Sequence, residues 1–366
     1  MACKRFLLIG YYGFGNDGDA WLLHKSVQIL REKDPDSAIC ALYNPAKILR
    51  KKIAPFESSS ILKEITFVNR WNPWAILKTI LSADAVVCGG GGLLQDRSSK
   101  RSLAYYTGIL ILARALGKKR YLMGMGIGPL THKLSKRLVA WAVNGAKVSV
   151  RDTESHALLA EICPKTSSIV ATDLAYYKAV LQPDPKARQK APLIGLSLAP
   201  LNATRLAALS EGLSRMPQDF LFVMGDPWQD EILSWKCDVL QAKIVDRMAV
   251  LSQKTGETRR TPLDRHTLKW AVVMRYHVGV WASLRNIPFL AVCEDPKLAA
   301  LAESLGQPIL DLSKPVEELA DAIHQATLDL IENYSLYQAK LTEKTPQLIA
   351  QSAGLALSPT TKTLEQ

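Results

Sequence analysis

Four side chains able to handle an anion or a proton stand where short aliphatic runs stop. Arg151 falls in SVRD, Arg275 and His277 sit two apart in VVMRYHVGVW, and Lys297 follows AVCEDP. Arginine grips a carboxylate or phosphate with a bidentate fork, lysine acts as a point charge, and an imidazole can give up a proton near neutrality. Three glycine clusters occur at comparable places. GYYGFGNDGD holds Gly13, Gly15, Asn16, Asp17, Gly18 and Asp19; VVCGGGGLLQD holds Gly90, Gly91, Gly92, Gln95 and Asp96; MGMGIGPL holds Gly126 and Gly128. Glycine weakens helices and strands alike. Four in a row after an aliphatic run therefore point to a backbone that must approach a ligand closely, its N–H groups available to an anion.

Gly13-x-Gly15-x-x-Gly18 matches the spacing of a dinucleotide loop. The rest of that fingerprint is missing. The second strand ends LYNP, with Asn44 and Pro45 and no acid, and Asp34 precedes that strand. A carboxylate at Asp19 would also repel a pyrophosphate from the helix it opens. The loop better suits a neutral, hydroxyl-rich ligand, or a base drawn from Asp17 or Asp19. Each residue keeps a structural alternative: Asp19 as a helix N-cap, Arg151 paired with Asp152 or Glu154, Lys297 as an exposed loop cation, His277 as a satisfied structural histidine.

The elements that must position these residues alternate. Strands read FLLIG (6–10), AICALY (38–43), AVVCG (85–89), RYLMG (120–124), VSV (148–150) and SIVAT (168–172), with helical patterns at 19–32, 104–116, 135–143 and 153–162. LQPDPKARQKAP (181–192) has the composition of a linker. Beyond it the alternation restarts with LIGLSLA, DFLFVMG, AKIVD, WAVVM, PFLAV and PILDL, and a long helical stretch over 316–351 closes it. The fold class expected is α/β, with two Rossmann-like domains facing across a cleft, over 1–182 and 193–352, joined by 183–192 and followed by a disordered tail at 353–366. In such sheets ligands bind outside the carboxyl ends of the strands, where Arg151, Arg275, His277 and Lys297 all fall.

Composition fits a globular protein of two domains: 366 residues, 48% hydrophobic. No apolar run reaches the roughly 18 residues of a membrane span, and the apolar run after the basic start is too short for a signal peptide, so a cytoplasmic location is expected. The six cysteines are scattered with no CxxC pair, which argues against a disulfide framework or a metal cluster. A formal charge of +12 favours anionic partners, with basic clusters at 47–52, 97–101, 114–120 and 133–137. Nucleic acid is set aside, because these clusters lack aromatic interleaving. A homo-oligomer is compatible with the sequence.

Taken together, GYYGFGNDGD, GGGGLLQDRSS, GIGPL, SVRD, TDLA and MRYH…DPK resemble the polysaccharide pyruvyltransferases of the cell-surface-anchoring (CsaB) type, in family order from Gly10 to Lys297. The resemblance implies a two-domain fold similar to GT-B glycosyltransferases. It also implies transfer of the pyruvyl group of phosphoenolpyruvate to a sugar as a cyclic ketal, commonly across O4 and O6, with release of phosphate. Relatives modify N-acetylmannosamine units of secondary cell-wall polymers that anchor S-layer proteins, on a lipid-linked acceptor. By the same resemblance Arg151, His277 and Lys297 fall on residues used for the donor and for catalysis, and Asp19 on the acid of the first glycine loop. Departures occur at Ala20, where an acid is usual, at Met125 in place of glutamine, and at Ala199 in place of arginine.

On this reading His277 is the acid, Arg275, Arg151 and Lys297 neutralise phosphoenolpyruvate, and Asp19 orients or deprotonates the acceptor, with no metal or cofactor required. RWNPWAILKTIL (70–81) has the pattern of an amphipathic helix, either packed on its own domain or lying at a membrane interface. Two rivals remain: a GT-B glycosyltransferase using a nucleotide sugar, and a non-catalytic binder of anionic polymer.

Overall fold

The computed structural model describes residues 4–45, 65–181, 193–225, 233, 240, 243–249, 268–293 and 296–355. The expected linker at 183–192 lies outside them. The chain forms two compact units, one from residues 1–14, 19–178 and 349–366, the other from 15–18 and 179–348.

The first unit is a parallel sheet of seven strands, β1 (Arg5–Ile9), β2 (Ala38–Tyr43), β3 (Thr66–Asn69), β4 (Ala85–Leu94), β5 (Lys119–Ile127), β6 (Lys147–Val150) and β7 (Ser168–Val170), in the order β3-β2-β1-β4-β5-β6-β7. Among the described residues its helices are α1 (Asp17–Lys33), α2 (Pro73–Ser82), α3 (Lys100–Ala115), α4 (Lys133–Val143) and α5 (Thr153–Ile162). The strand order reverses at β1 and β4, which pair directly; the crevice at such a switch point is where doubly wound sheets take ligands. Leu7 and Ile9 of β1 and Val86 and Cys88 of β4 share one core with Ile80 of α2, Leu110 of α3, Val139 of α4 and Leu159 of α5. These four helices therefore cover the same face of the sheet.

The second unit is a parallel sheet of β8 (Leu193–Ser197), β9 (Phe220–Met224), β10 (Ile244–Ala249), β11 (Leu268–Val273), β12 (Phe289–Cys293) and β13 (Ile309–Asp311), ordered β10-β9-β8-β11-β12-β13. Among the described residues its helices are α6 (Ala203–Ser214), α7 (Tyr276–Leu284), α8 (Pro296–Leu305), α9 (Val316–Glu332) and α10 (Tyr334–Gln351). Phe220, Phe222, Trp270 and Leu290 pack with Leu209 and Ile323 to form its core.

The structure corrects several expectations. The third expected strand does not stop at Gly89 but runs to Leu94, so the four glycines lie inside β4; likewise β5 runs to Ile127. The edge strand β3 was not foreseen: its burial is slight, so it carries no aliphatic signal. The closing helix is two helices that meet at Asn333, whose side chain bonds back to Asp329. Ser352–Leu355 form a 3-10 turn with Leu355 fully buried, so the chain is ordered past the expected start of the tail at 353. No described helix is long and apolar enough to cross a membrane.

Candidate active site

At the switch point of the first unit, α1 begins earlier than the sequence pattern indicated. Asn16 accepts a hydrogen bond from Gly18 N–H (2.8 Å), and the helix runs from Asp17. Asn16 therefore does the capping considered for Asp19, and Asp19 sits in the first turn. Its carboxylate Oδ1 lies 3.8 Å from the point where a Cβ on Gly91 would stand. Gly90 and Gly91 have φ of 76° and 80°, a left-handed conformation that costs most residues energy. The two differ in surroundings: a Cβ at Gly90 would meet Leu174 at 2.3 Å, whereas at Gly91 the nearest atom is 3.4 Å away. Packing demands the first, and room beside Asp19 accompanies the second.

Other glycine-cluster residues hold the scaffold. Asp96 is buried and accepts from Thr131 N–H (2.9 Å), Thr131 Oγ1 (3.1 Å) and His132 N–H (3.0 Å). Burial pushes its pKa up, but these donors and Ser135 outweigh that and hold it at about 2. Gln95 accepts from Ser98 N–H (3.0 Å) and bonds the same serine's hydroxyl. These bonds tie the loop after β4 to itself and to the segment after β5. Gly126 fits because a Cβ there would come 2.8 Å from the Arg151 guanidinium. Arg151 itself follows β6, buried, with Nε donating to Asp152 (3.1 Å) and Nη1 3.6 Å from Asp173. The Asp152 pairing weighed from sequence is present, and Asp173 joins it.

In the second unit, Arg275 and His277 lie beyond β11 rather than ending it. Arg275 is the N-cap of α7, without a side-chain bond to the first turn, and His277 is in that turn. Lys297 lies in the first turn of α8, after β12, the sheet neighbour of β11. Adjacent strands thus deliver both cations and the imidazole to one sheet edge. Helix amino termini carry partial positive charge, which a lysine there adds to. Residues 15–18 group with this unit, where Asp17 N–H donates to the Gly225 carbonyl (3.1 Å). A Cβ on Gly18 would fall 2.0 Å from His277 Nδ1. Gly18 is therefore glycine because the imidazole occupies the space a side chain would need.

The aromatic cluster around Arg70 was not foreseen. Periodicity put a helix over 70–81, but Asn72 caps α2 from Ala75 N–H and the helix begins at Pro73. Arg70, 3% exposed, donates to the Gly10 carbonyl and to Tyr106 Oη, both at 3.0 Å. Its guanidinium lies 4.8–5.6 Å from the ring centres of Phe14, Tyr105, Trp71 and Tyr106. Tyr11 stacks on Phe14 at 4.0 Å. Trp71 is fixed through Nε1 to Asn44 (3.3 Å) yet stays 60% exposed. These rings follow β1 and β3 or lie in the second turn of α3, toward the carboxyl edge of the sheet. A fixed, exposed indole can stack on the C–H face of a sugar. The available signal was YYGF and RW at strand ends, visible only once β3 is recognised. Among the described residues no group of three His, Cys, Asp or Glu stands together as a metal site.

Residues 16–270 match the polysaccharide pyruvyl transferase family. The chain belongs to it. That membership makes it a transferase of the class that moves a pyruvyl group to a polysaccharide, and the match takes in Asp19, the β4 glycines and Arg151. It ends before His277 and Lys297. No curated protein matches the sequence. In fold the chain is similar to a glycosyltransferase of Rickettsia africae (11% identity, TM-score 0.57, covering 97% of this chain and 96% of that one). It is also similar to Anabaena HepE in complex with UDP-glucose (13%, 0.59, 95% and 98%) and to MurG of Acinetobacter baumannii (14%, 0.52, 96% and 98%). Two parallel-sheet α/β domains of the GT-B kind are the architecture they share.

Proposed function

We propose that the chain transfers the pyruvyl group of phosphoenolpyruvate to a sugar of a cell-surface or secondary cell-wall polysaccharide, as a cyclic 4,6-ketal, with release of phosphate. An N-acetylmannosamine-like unit on a lipid-linked precursor is the acceptor. What carries this reading, beside the family, is the edge of the second sheet: Arg275, His277 and Lys297 at the amino termini of α7 and α8, with Gly18 making room for the imidazole. A carboxylate and a phosphate on adjacent atoms call for that density of positive charge, and an enol calls for a proton donor.

His277 protonates C3 of the enol, which becomes the methyl group. C2 takes on oxocarbenium character, one sugar hydroxyl attacks it, phosphate leaves, and the second hydroxyl closes the ring. The two hydroxyl protons end on C3 and on phosphate, so the step balances without a redox partner. Asp19 is assigned the acceptor's base, on its place beside Gly91, and Arg151 a charge on the donor, on the resemblance. Trp71 is assigned the acceptor's apolar face.

The test is thermal stability with phosphoenolpyruvate, UDP-glucose and UDP-N-acetylglucosamine in parallel, followed by phosphate release on adding a glycan acceptor. At a hundred times its Kd, phosphoenolpyruvate should stabilise by about 2.7 kcal/mol. Stabilisation by a UDP-sugar alone would replace this reading with nucleotide-sugar transfer, which the fold likeness to a UDP-glucose complex favours.

A further inference from the structure

The outer surface of α2, α3 and α4 has an unusual composition. PWAILKTILS, KRSLAYYTGILILARA and KLSKRLVAWAV contain no aspartate or glutamate, but one, three and three basic residues. The inner faces of all three helices feed one core, through Ile76, Leu110 and Val139 among others, so their outer faces point the same way. On α2 that outer face carries Trp74 (77% exposed), Lys78 and Leu81, at i, i+4 and i+7. On α4 it carries Leu134 (67% exposed), Arg137 and Trp141, beside Lys133. Between them α3 presents small groups, Ala104, Gly108 and Ala115; a Cβ at Gly108 would meet nothing within 4 Å. At the carboxyl ends, Lys118 donates to the Leu81 carbonyl (2.7 Å) and Arg114 to the Trp141 carbonyl (3.1 Å), which sets two more cations among the apolar groups. The patch ends at α5, where Lys136 pairs with Glu161. Two basic clusters distant in sequence, 114–120 and 133–137, are thereby joined on one side of the unit.

We infer that this face docks on an anionic phospholipid surface. Single exposed apolar residues are ordinary, but two aliphatic and two indole side chains ranged along neighbouring helices, among cations and without an acid, are the makings of an interfacial patch. A nucleic acid or an anionic glycan would satisfy the cations, and a sugar could stack on an indole, but either would leave Leu81 and Leu134 in water. A bilayer satisfies both: lipid phosphates meet Lys78, Lys133 and Arg137, and Trp74, Leu81, Leu134 and Trp141 enter the headgroup boundary. The argument is independent of the reaction proposed above.

The test is flotation of the full-length protein with vesicles of phosphatidylglycerol mixed with phosphatidylcholine, and with vesicles of phosphatidylcholine alone. The protein should float with the anionic vesicles at low salt and scarcely with the neutral ones. Leu134→Ser/Trp141→Ser and Trp74→Ser/Leu81→Ser should each lose that partition. Lys133→Gln/Arg137→Gln should weaken it about 30-fold, at roughly tenfold per 1.4 kcal/mol and 1 kcal/mol per charge. Leu336→Ser, an exposed leucine of the second unit, should float like the parent. Because every altered side chain is exposed, unchanged circular dichroism will separate lost docking from lost folding. Serine variants that float like the parent, or no partition into anionic vesicles, would overturn the proposal. Binding to DNA that falls in the glutamine variant but ignores the serine ones, without vesicle binding, would assign the face to a polyanion instead.

Discussion

The role proposed for His277, which packs against Gly18, is testable at the scale of one residue. An imidazole positioned as a general acid contributes roughly 10²–10⁴ in rate. His277→Ala should therefore lower kcat by that factor while phosphoenolpyruvate still raises the melting temperature; a variant with parental kcat removes the histidine from the chemistry. Trp71→Ala should raise the KM for the glycan about tenfold and leave the donor's shift unchanged, since the loss of one stacked ring costs about 0.5–1.5 kcal/mol beyond its buried area. Asp96 gives a prediction in pH. Its folded pKa, about 2, is below the unfolded carboxylate's roughly 3.9. The stabilisation is thus fully present above the unfolded value and is lost as pH falls through the folded one. Asp96→Asn should be less stable at neutral pH by about 1–3 kcal/mol, and denaturant titrations between those two pH values should show a shallower loss than in the parent.

Strand β4 does two jobs, and its glycines separate them. Gly90→Ala must push a methyl into Leu174 and hold a positive φ; a stability loss of several kcal/mol is expected, since left-handed strain alone costs about 1–3. Gly91→Ala carries the strain without the clash, so it should lose less stability but crowd Asp19 and lower turnover. Equal stability losses in the two variants would dissolve the distinction. The alternation of aliphatic runs and helical patterns was enough to place β1, β2 and β4–β6, because buried parallel strands have to be nearly continuous in apolar residues. It could not show that Gly89–Gly92 stay in the sheet. That depends on β5 pairing with Gly89 and Gly91, a contact between distant segments. Edge strand β3 escaped for the opposite reason: with little burial, its sequence had no hydrophobic pattern to display.

Over the whole molecule, the C-terminal segment belongs with the first unit although the preceding helices belong with the second. Leu355 is fully buried, with its Cδ2 3.0 Å from where a Cβ on Gly124 would stand. Leu355→Ala should cost about 2–5 kcal/mol, and hydrogen exchange should place the loss in β5 and its neighbours, leaving β8–β13 as protected as in the parent. Two compact units also make a single unfolding free energy ill-defined, so a regional measurement is the right one.

The sequence by itself determined the α/β architecture, the restart beyond residue 192, the candidate cations and the family, because these rest on local periodicity and on motifs a few residues long. Tertiary structure alone decided which neighbours each of those residues has. It assigned Asp96 and Gln95 to latching a loop, gave Arg151 two carboxylates, set Gly18 against His277 and gathered four rings around Arg70. It also joined two basic clusters on one helical face. Each of these depends on pairings between residues far apart in the chain, and the energy of such a contact is written in the partner's position as much as in the residue's own type.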